Sequence, residues 1–337
     1  MSSKDPRLLI QAAPLLRQEM TTRQAMLDVL LALIPATLAA FWFFGLSALL
    51  VVCASVAGSV LTEWIFSPTR ERRERLLDGS GIITGLLLGL TLPSSLPLWM
   101  AFIGGAVGIG LGKLIWGGLG QNMFNPALVG RAFLLATFPN AMTTWGAHGG
   151  PADFFQVHAS NLALPFMHVE YDGISAATPL GLMKFETQDT PLLNLLIGNT
   201  SGCLGETSGL LLLLGGAYML LRRVIDWRIP ASILLSVAVF SAILFAFGPD
   251  KYPGPLFSVF SGGLLIGAFF MATDPVTSPL TPRGTWLFGI GVGLLVVLIR
   301  VFGGFPEGVM YAILLMNAAT PLIDRYTQPR VFGRRSS

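Results

Sequence analysis

Long apolar runs separated by short polar stretches dominate the chain. A stretch of about 20 apolar residues is long enough to cross a bilayer as a helix. Ten apolar segments occur, at residues 27–45, 46–66, 80–92, 97–116, 121–138, 207–221, 229–247, 257–273, 285–303 and 306–323. The stretch 139–205 is polar, rich in Gly and Pro, and belongs to no span. The pattern predicts an all-α polytopic membrane protein with about ten transmembrane helices.

Segments 80–92 and 257–273 are short for a complete crossing. A helix over 80–92 reaches only about 20 Å, less than the hydrocarbon core of about 30 Å. Each segment runs into a proline-containing stretch, at 91–97 and 273–279. We therefore expect helices 3 and 8 to be broken crossings, each a half-helix completed by an extended leg.

The two broken segments belong to an internal repeat. Residues 80–85 (Ser-Gly-Ile-Ile-Thr-Gly) match 261–267 (Ser-Gly-Gly-Leu-Leu-Ile-Gly), and Trp-Gly-Gly at 116–118 matches Phe-Gly-Gly at 302–304. Five crossings is an odd number, so the pattern predicts inverted copies. Inverted repeats with broken helices place ligand or ion sites near the bilayer midplane. Close packing of glycine-rich helices is the alternative explanation.

The repeat divides the chain into predicted regions. These are an N-terminal segment at 1–26, a first five-helix repeat at 27–138, a loop at 139–205, a second repeat at 206–323 and a tail at 324–337. The first 26 residues are polar and basic, without the apolar region of a signal peptide. We therefore expect the chain to enter the membrane through its first helix.

Composition and charge placement support these regions. The chain is 53% hydrophobic and 12% charged, whereas soluble domains are about 25% charged. With the N-terminus placed in the cytoplasm, the inside segments hold 16 of 21 Lys and Arg residues. The outside loops hold only Lys184 and Lys251. This distribution predicts that both termini are cytoplasmic and that loop 139–205 is periplasmic.

Cysteine and histidine spacing does not predict a metal centre. Cys53 and Cys203 are far apart and form no CxxC motif, so neither an iron–sulfur cluster nor a zinc site is indicated. His148, His158 and His168 share one loop, but a spacing of ten is not a ligand spacing.

The loop 139–205 contains the segment Asp-Gly-Ile-Ser-Ala-Ala-Thr-Pro at 172–179. Its small residues would give an enzyme access to the Thr178 hydroxyl, and Asp172 and Ser175 stand nearby. From chemistry alone this is an accessible, turn-rich segment. It is similar to the acceptor motif of flavin transferases, Asp-x-x-(Ser/Thr)-x-Ala-Thr, and every fixed position of that motif is present. Those enzymes move FMN from FAD onto the final Thr through a phosphoester bond.

Other motifs extend this resemblance over nearly the full length. They are Arg23 through Ile34-Pro35, the run 117–127 (Gly-Gly-Leu-Gly-Gln-Asn-Met-Phe-Asn-Pro-Ala), Arg131-Ala132-Phe133 and Thr273-Asp274-Pro275. Together they resemble the NqrB/RnfD family of membrane subunits. That family belongs to Rnf-type ion-translocating ferredoxin:NAD oxidoreductases and sodium-pumping NADH:quinone reductases. The brief polar N-terminus is closer to the Rnf type.

The resemblance implies a function and its cofactors. It implies covalent FMN on Thr178, with Asp172 and Ser175 in the acceptor motif, and a non-covalent riboflavin within the helix bundle. Electron transfer between ferredoxin and NAD(H) would drive Na⁺ or H⁺ across the bacterial inner membrane. The implied partners are RnfA, RnfB, RnfC, RnfE and RnfG, with a flavin transferase during maturation. The chain would not be catalytic alone, and Thr178 would be a tether.

Four residues are candidates for riboflavin contacts: Asn122, Asn125, Arg131 and Asp274. Asn122 and Asn125 open the fifth span at a spacing of three, so we expect both amides on one helix face. Amides can donate to and accept from a flavin ring edge. The Asp274 leg is expected at a similar depth. The alternative is that the Asn-x-x-Asn pair caps the helix ahead of Pro126.

Charged residues within the spans need partners. For Arg131 the partner could be a flavin, a carboxylate or helix-end carbonyls. Lys113 and Arg300 lie near span ends and are expected to extend toward water. Asp28 and Glu63 are candidates for an ion path, and pairing with nearby Arg residues is the alternative.

Two other hypotheses are consistent with the sequence. Inverted five-span repeats with broken helices also build urea- and ammonium-type channels, for which the Thr178 motif would be incidental. A third hypothesis makes the chain a structural anchor for catalytic partners. Neither predicts a flavin bound to the purified chain.

Overall fold

A computed structural model describes residues 21–69, 72–146, 154–155, 157–165, 167, 177–206, 208–249 and 251–328. Within these residues the chain is helical and has no β-strand, as the apolar pattern predicts. The α-helices are α1 (Thr22–Phe66), α2 (Arg72–Leu77), α3 (Ser80–Leu90), α4 (Leu98–Ile109), α5 (Pro126–Thr137), α6 (Pro139–Thr143), α7 (Pro179–Gly181), α8 (Leu192–Ile197), α9 (Gly209–Leu221), α10 (Arg228–Phe247), α11 (Pro255–Phe260), α12 (Leu264–Ile266), α13 (Pro282–Phe302) and α14 (Val309–Thr327).

Helix α1 contains the first two predicted spans, 27–45 and 46–66, joined at Gly45. Gly45 has φ 62° and ψ −150°, which interrupts the helix. The two ends of α1 lie beside the same short segment, because Met26 lies next to Gly79 and Glu63 lies next to Gly81. The chain therefore folds back at Gly45. Glycine adopts this left-handed φ without the steric cost of a Cβ atom.

Irregular backbone occurs at both proline-containing stretches, 91–97 and 273–279, and the second copy has a further interruption that was not predicted. Helix α3 ends at Leu90, and residues 91–97 follow as a buried, irregular leg. In the second copy, residues 261–263 separate α11 from α12, and a π-helical stretch, Gly267–Met271, precedes the irregular leg. Irregular backbone at membrane depth is tolerated where protein or water surrounds it.

Helices α10 and α13 bury small residues and expose large apolar ones. Ser232 and Ser236 of α10 face Gly289 and Gly293 of α13 so closely that a Cβ on either glycine would lie 1.7 or 1.8 Å from a serine Oγ. Leu235, on the other side of α10, is 58% exposed. Small residues at contacts and large apolar residues outside are typical of helices packed in lipid.

Among the described residues, three helices have the length and apolar character needed to cross a membrane. These are α1, α10 and α13. Four shorter apolar helices accompany them: α3, α4 with its π-helical continuation to Leu114, α5 and α9. The total of ten crossings and the inversion of two complete repeats stay predictions.

A cation contacts the start of α3, and another contacts the interruption between α11 and α12. Lys113, in the π-helical stretch Gly110–Leu114, donates to the carboxylate of Glu63 and to the hydroxyl of Ser80. Lys113 is 2% exposed, so the expectation that it extends toward water is wrong. Arg300, near the end of α13, donates to the carbonyls of Ser258 and Ser261 at 2.6 and 2.9 Å. Backbone carbonyls are its observed partners.

Replacing Lys113 by Met would leave the buried Glu63 carboxylate without its cationic partner. We expect Lys113→Met to lower the free energy of unfolding by about 3–5 kcal/mol, measured by unfolding the full chain in mixed micelles. Adding Glu63→Leu should recover most of the loss. The control is Arg228→Ala. The side chains of Arg228 and its partner Asp226 are 35% and 33% exposed, so this change should lower the free energy of unfolding by less than about 1 kcal/mol. A double variant no more stable than Lys113→Met contradicts this account.

Candidate functional site

Thr178 lines a cavity of about 500 Å³, here called the Thr178 cavity. Segments from both sequence repeats and from the long loop form its walls. Four aromatic side chains and three charged ones are among the lining residues: Trp145, Phe185, Phe305, Tyr311, Arg131, Glu186 and Glu307. Ligand-binding pockets have volumes of about 300–1,000 Å³ and mostly apolar walls. The Thr178 cavity falls within that range.

The Thr178 side chain is held at the N-terminus of the short helix α7. Its backbone is extended, and its Oγ1 accepts a hydrogen bond from the Gly181 N–H at 3.1 Å. Pro179 follows at the first helical position, where its missing N–H costs nothing. Thr178 is 5% exposed, so the expectation of a freely accessible hydroxyl is wrong in this folded arrangement. Asp172 and Ser175 lie outside the described residues.

Arg131 has a carboxylate partner. It lies in α5, and its Nη2 donates to Glu307 and to the Cys203 sulfur, the latter at 3.4 Å. Of the three partners considered from the sequence, the carboxylate is the one observed. Glu307 immediately precedes α14, so this contact joins the fifth span to the start of the last helix.

The side chains behind Arg131 form a compact group. The Cys203 sulfur and one oxygen each of Glu206 and Glu307 lie within 4.8 Å of one another. Burial raises the pKa of the Cys203 thiol well above its usual range. Burial and the neighbouring Glu307 charge also raise the pKa of Glu206. These are donor types that hold a cation elsewhere, but here Arg131 supplies the positive charge.

Asn122, Asn125 and Asp274 line a second cavity, of about 110 Å³, here called the Asn122 cavity. Lys113 and Ser80 lie on its wall as well. The structure thus brings together three of the four residues predicted to contact riboflavin. The fourth, Arg131, lines the Thr178 cavity instead.

Asn125 acts as the helix cap considered as the alternative. Its Oδ1 accepts from the N–H groups of Ala127 and Leu128, and its Nδ2 donates to the Met271 carbonyl at 3.1 Å. Helix α5 begins at Pro126, so residues 121–125 are not helical and the predicted start of this span is wrong. Both polar atoms of the Asn125 amide already have protein partners.

Asn122 precedes the helix and retains an unused acceptor. Its Nδ2 donates to the Phe124 carbonyl at 3.3 Å. Its buried Oδ1 has no hydrogen-bond partner among the described residues. Asp274 interacts with the Asn122 amide and accepts from the Val276 N–H and the Thr277 hydroxyl. Unpaired buried polar atoms are costly, so Asn122 Oδ1 is suited to a ligand donor.

The two acids proposed for an ion path are both buried and paired. Asp28 accepts from the Tyr218 hydroxyl at 3.0 Å and forms an ion pair with Arg222 at 3.2 Å. That confirms the pairing of Asp28 with an arginine. Glu63 pairs with Lys113 rather than with an arginine.

Glu206, Glu307 and the role of Cys203 were not predicted from sequence. One signal was available, because an acid at the edge of an apolar segment needs a partner. Glu206 precedes the segment 207–221, and Glu307 lies at the start of 306–323. Their partner Arg131 could not be chosen from sequence, since it is 176 positions from Glu307.

Known proteins resemble this chain over almost its whole length. It is 41% identical to the D-type subunit of the ion-translocating oxidoreductase complex of Yersinia enterocolitica, covering 97% of this chain and 98% of the relative. It is 40% identical to the D-type subunit of the proton-translocating ferredoxin:NAD(+) oxidoreductase complex of Clostridium ljungdahlii, covering 97% and 96%. Identity is also 40% to the D-type subunit of the Na(+)-translocating ferredoxin:NAD(+) oxidoreductase complex of Acetobacterium woodii, covering 97% and 95%.

The profile of one protein family matches residues 9–333. This range includes both repeats, the loop with Thr178 and both cavities. The chain belongs to the NQR2, RnfD, RnfE family.

Proposed function

We propose that this chain is the D-type membrane subunit of an Rnf-type ion-translocating oxidoreductase, carrying electrons on FMN esterified to Thr178. The relatives support the assignment to such a complex, since they are named as its D-type subunits. The observation that supports a flavin on Thr178 is the position of that residue. The last residue of the acceptor motif lies on a cavity with aromatic walls and an arginine.

The Thr178 cavity fits a flavin in size and chemistry. Its volume of about 500 Å³ lies within the usual range for ligand pockets. Trp145, Phe185, Phe305 and Tyr311 offer flat apolar surfaces to a planar ring. FMN, when bound, supplies one- and two-electron redox chemistry.

The chain's own residues would hold the cofactor. Thr178 supplies the ester oxygen, which can still accept from the Gly181 N–H. Arg131 places a positive charge on the cavity wall, beside the carboxylates of Glu186 and Glu307 that also line it. Its pairing with Glu307 fixes the guanidinium in place.

Burial of Thr178 constrains maturation. A flavin transferase needs the hydroxyl exposed, but this side chain is 5% exposed once α7 has packed. We propose that modification occurs before α7 packs, or through opening of this segment. Within the complex, RnfA, RnfB, RnfC, RnfE and RnfG are the expected partners.

Riboflavin is proposed for the Asn122 cavity. Asn122 Oδ1 offers an unpaired acceptor, and Asp274 and Lys113 add charged groups. At about 110 Å³ the cavity is smaller than typical ligand pockets. Binding of the three-ring system would require the Asn122 and Asp274 legs to move apart.

The coupled ion is Na⁺ or H⁺, and Asp28 and Glu63 are the proposed residues of its path. The relatives include one named proton-translocating and one named Na(+)-translocating, so similarity does not choose between the ions. We place both termini in the cytoplasm and the Thr178 loop in the periplasm, on the placement of basic residues. The channel-like alternative loses support because the relatives are named for oxidoreductase complexes.

Thr178→Val should abolish covalent flavin, since valine keeps the shape but lacks the ester oxygen. The full chain is expressed with an active flavin transferase, run on a denaturing gel and imaged for flavin fluorescence. Thr190→Val, in the same loop, should stay as fluorescent as the wild type. A dark wild-type band, with the transferase active on another substrate, would instead favour the channel or anchor hypothesis.

Asn122→Leu should weaken non-covalent flavin binding about two- to tenfold, the worth of one hydrogen bond. The measurement is riboflavin released by acid from purified chain carrying Thr178→Val, so that covalent flavin does not contribute. Asn140→Leu, an exposed position on α6, is the matched control. Equal amounts of riboflavin released from the Asn122 and Asn140 variants would show that Asn122 does not contribute to riboflavin binding.

A further inference from the structure

A third cavity, distinct from the two described above, is lined by three cations. It has a volume of about 330 Å³ and is here called the Lys184 cavity. Lys184, Lys251 and Arg300 lie on its wall, and none of its lining residues, all within the described part of the chain, is acidic. Such a lining favours an anionic ligand.

Two of these cations are exceptions to the charge distribution of the chain. Lys184 and Lys251 are the only Lys or Arg residues in the predicted periplasmic loops. Positive residues are depleted from that side of membrane proteins. The fold nevertheless brings both into one cavity, although they belong to loops separated by two predicted crossings. Their convergence indicates a local role for the positive charge.

Neutral groups, rather than carboxylates, hold the cations in position. Lys184 Nζ donates to the carbonyls of Arg300, Gly303 and Phe305 at 3.0, 2.5 and 3.2 Å. Burial lowers the pKa of Lys184, as expected for a cation without a counter-ion. The exposed Lys251 ammonium lies over the Tyr252 ring, 5.4 Å from its centroid.

Arg300 retains a free donor. Its two terminal nitrogens donate to the carbonyls of Ser258 and Ser261, whereas its buried Nε has no hydrogen-bond partner among the described residues. Glu206 and Glu307 also attract Arg300. Glu307 already pairs with Arg131, which leaves the cavity cationic.

Much of the remaining wall of the Lys184 cavity is apolar, beside the polar side chains of Thr187, Ser241, Tyr252 and Ser258. The apolar residues come from the loop helix after Thr178, the end of α10 and the end of α13: Leu180, Met183, Leu244, Val297, Val301 and Phe302. Phe302 and Phe247, the last residues of α13 and α10, are both strongly exposed. Cations above apolar walls at helix ends match an amphipathic ligand at a bilayer interface.

We propose that the Lys184 cavity binds the phosphate headgroup of an anionic phospholipid from the outer leaflet. The headgroup phosphate contacts Lys251 and Arg300 Nε, and the acyl chains lie along the ends of α10 and α13. The ligand would fasten the segment after Thr178 to the membrane surface through Leu180 and Lys184. The proposal does not depend on a flavin at Thr178.

The test measures lipid binding to the delipidated full chain by native mass spectrometry, with phosphatidylglycerol and phosphatidylcholine as probes. The wild type should bind one phosphatidylglycerol that phosphatidylcholine does not displace. Lys251→Ala should weaken this binding about fivefold, since one surface cation contributes about that factor, and Lys251→Arg should restore it. Lys251 is exposed, so these variants should fold.

Arg283→Ala is the matched control, because it removes one positive charge from the opposite end of α13. Its phosphatidylglycerol affinity should equal that of the wild type. Equal binding of both lipids, or equal losses in the Lys251 and Arg283 variants, would overturn the proposal. Inorganic phosphate that displaces the lipid at comparable concentration would assign the cavity to a free anion. Exclusion of the lipid from the intact complex would show that the Lys184 cavity is occupied by a neighbouring protein of that complex.

Discussion

The fold depends on satisfying charged and polar groups inside an apolar helical bundle. Water cannot solvate broken helix ends in lipid, so protein groups must do so. Lys113 holds the start of α3 through Ser80, and Arg300 holds the interruption between α11 and α12 through Ser261. Asn125 connects the start of α5 to the Met271 carbonyl of the second broken crossing. These contacts allow irregular segments, and therefore cavities, to persist at membrane depth.

The cavities follow from that arrangement. The Asn122 cavity lies where the two broken crossings and the start of α5 approach one another. The Thr178 cavity lies where α5 and the segment before α14 meet the long loop. One cation accompanies each, Lys113 in the first and Arg131 in the second. In both cavities the cation has a counter-ion from a distant part of the chain, Glu63 for Lys113 and Glu307 for Arg131.

The helical character of the chain was predictable from sequence because lipid requires long apolar runs, whereas the interruption at 261–263 was not predicted. The start of α5 was misplaced because Met123 and Phe124 extend the apolar segment upstream, whereas the Asn125 cap and Pro126 set the helix boundary. Pairing was not predictable. Lys113 pairs with Glu63, which lies 50 positions away in the sequence, so the burial of Lys113 depends on tertiary contacts. The burial of Thr178 likewise depends on the packing of α7, which the turn-rich motif did not indicate.

Peptide mapping of the mature chain tests the central claim, the flavin ester on Thr178, most directly. Cleavage after Arg131 and Lys184 releases one segment, 132–184, and fragment ions within it locate any added mass. We expect the mass of FMN less one water on Thr178. An unmodified Thr178 in a chain matured with active transferase, or FMN located on another hydroxyl, would contradict the claim.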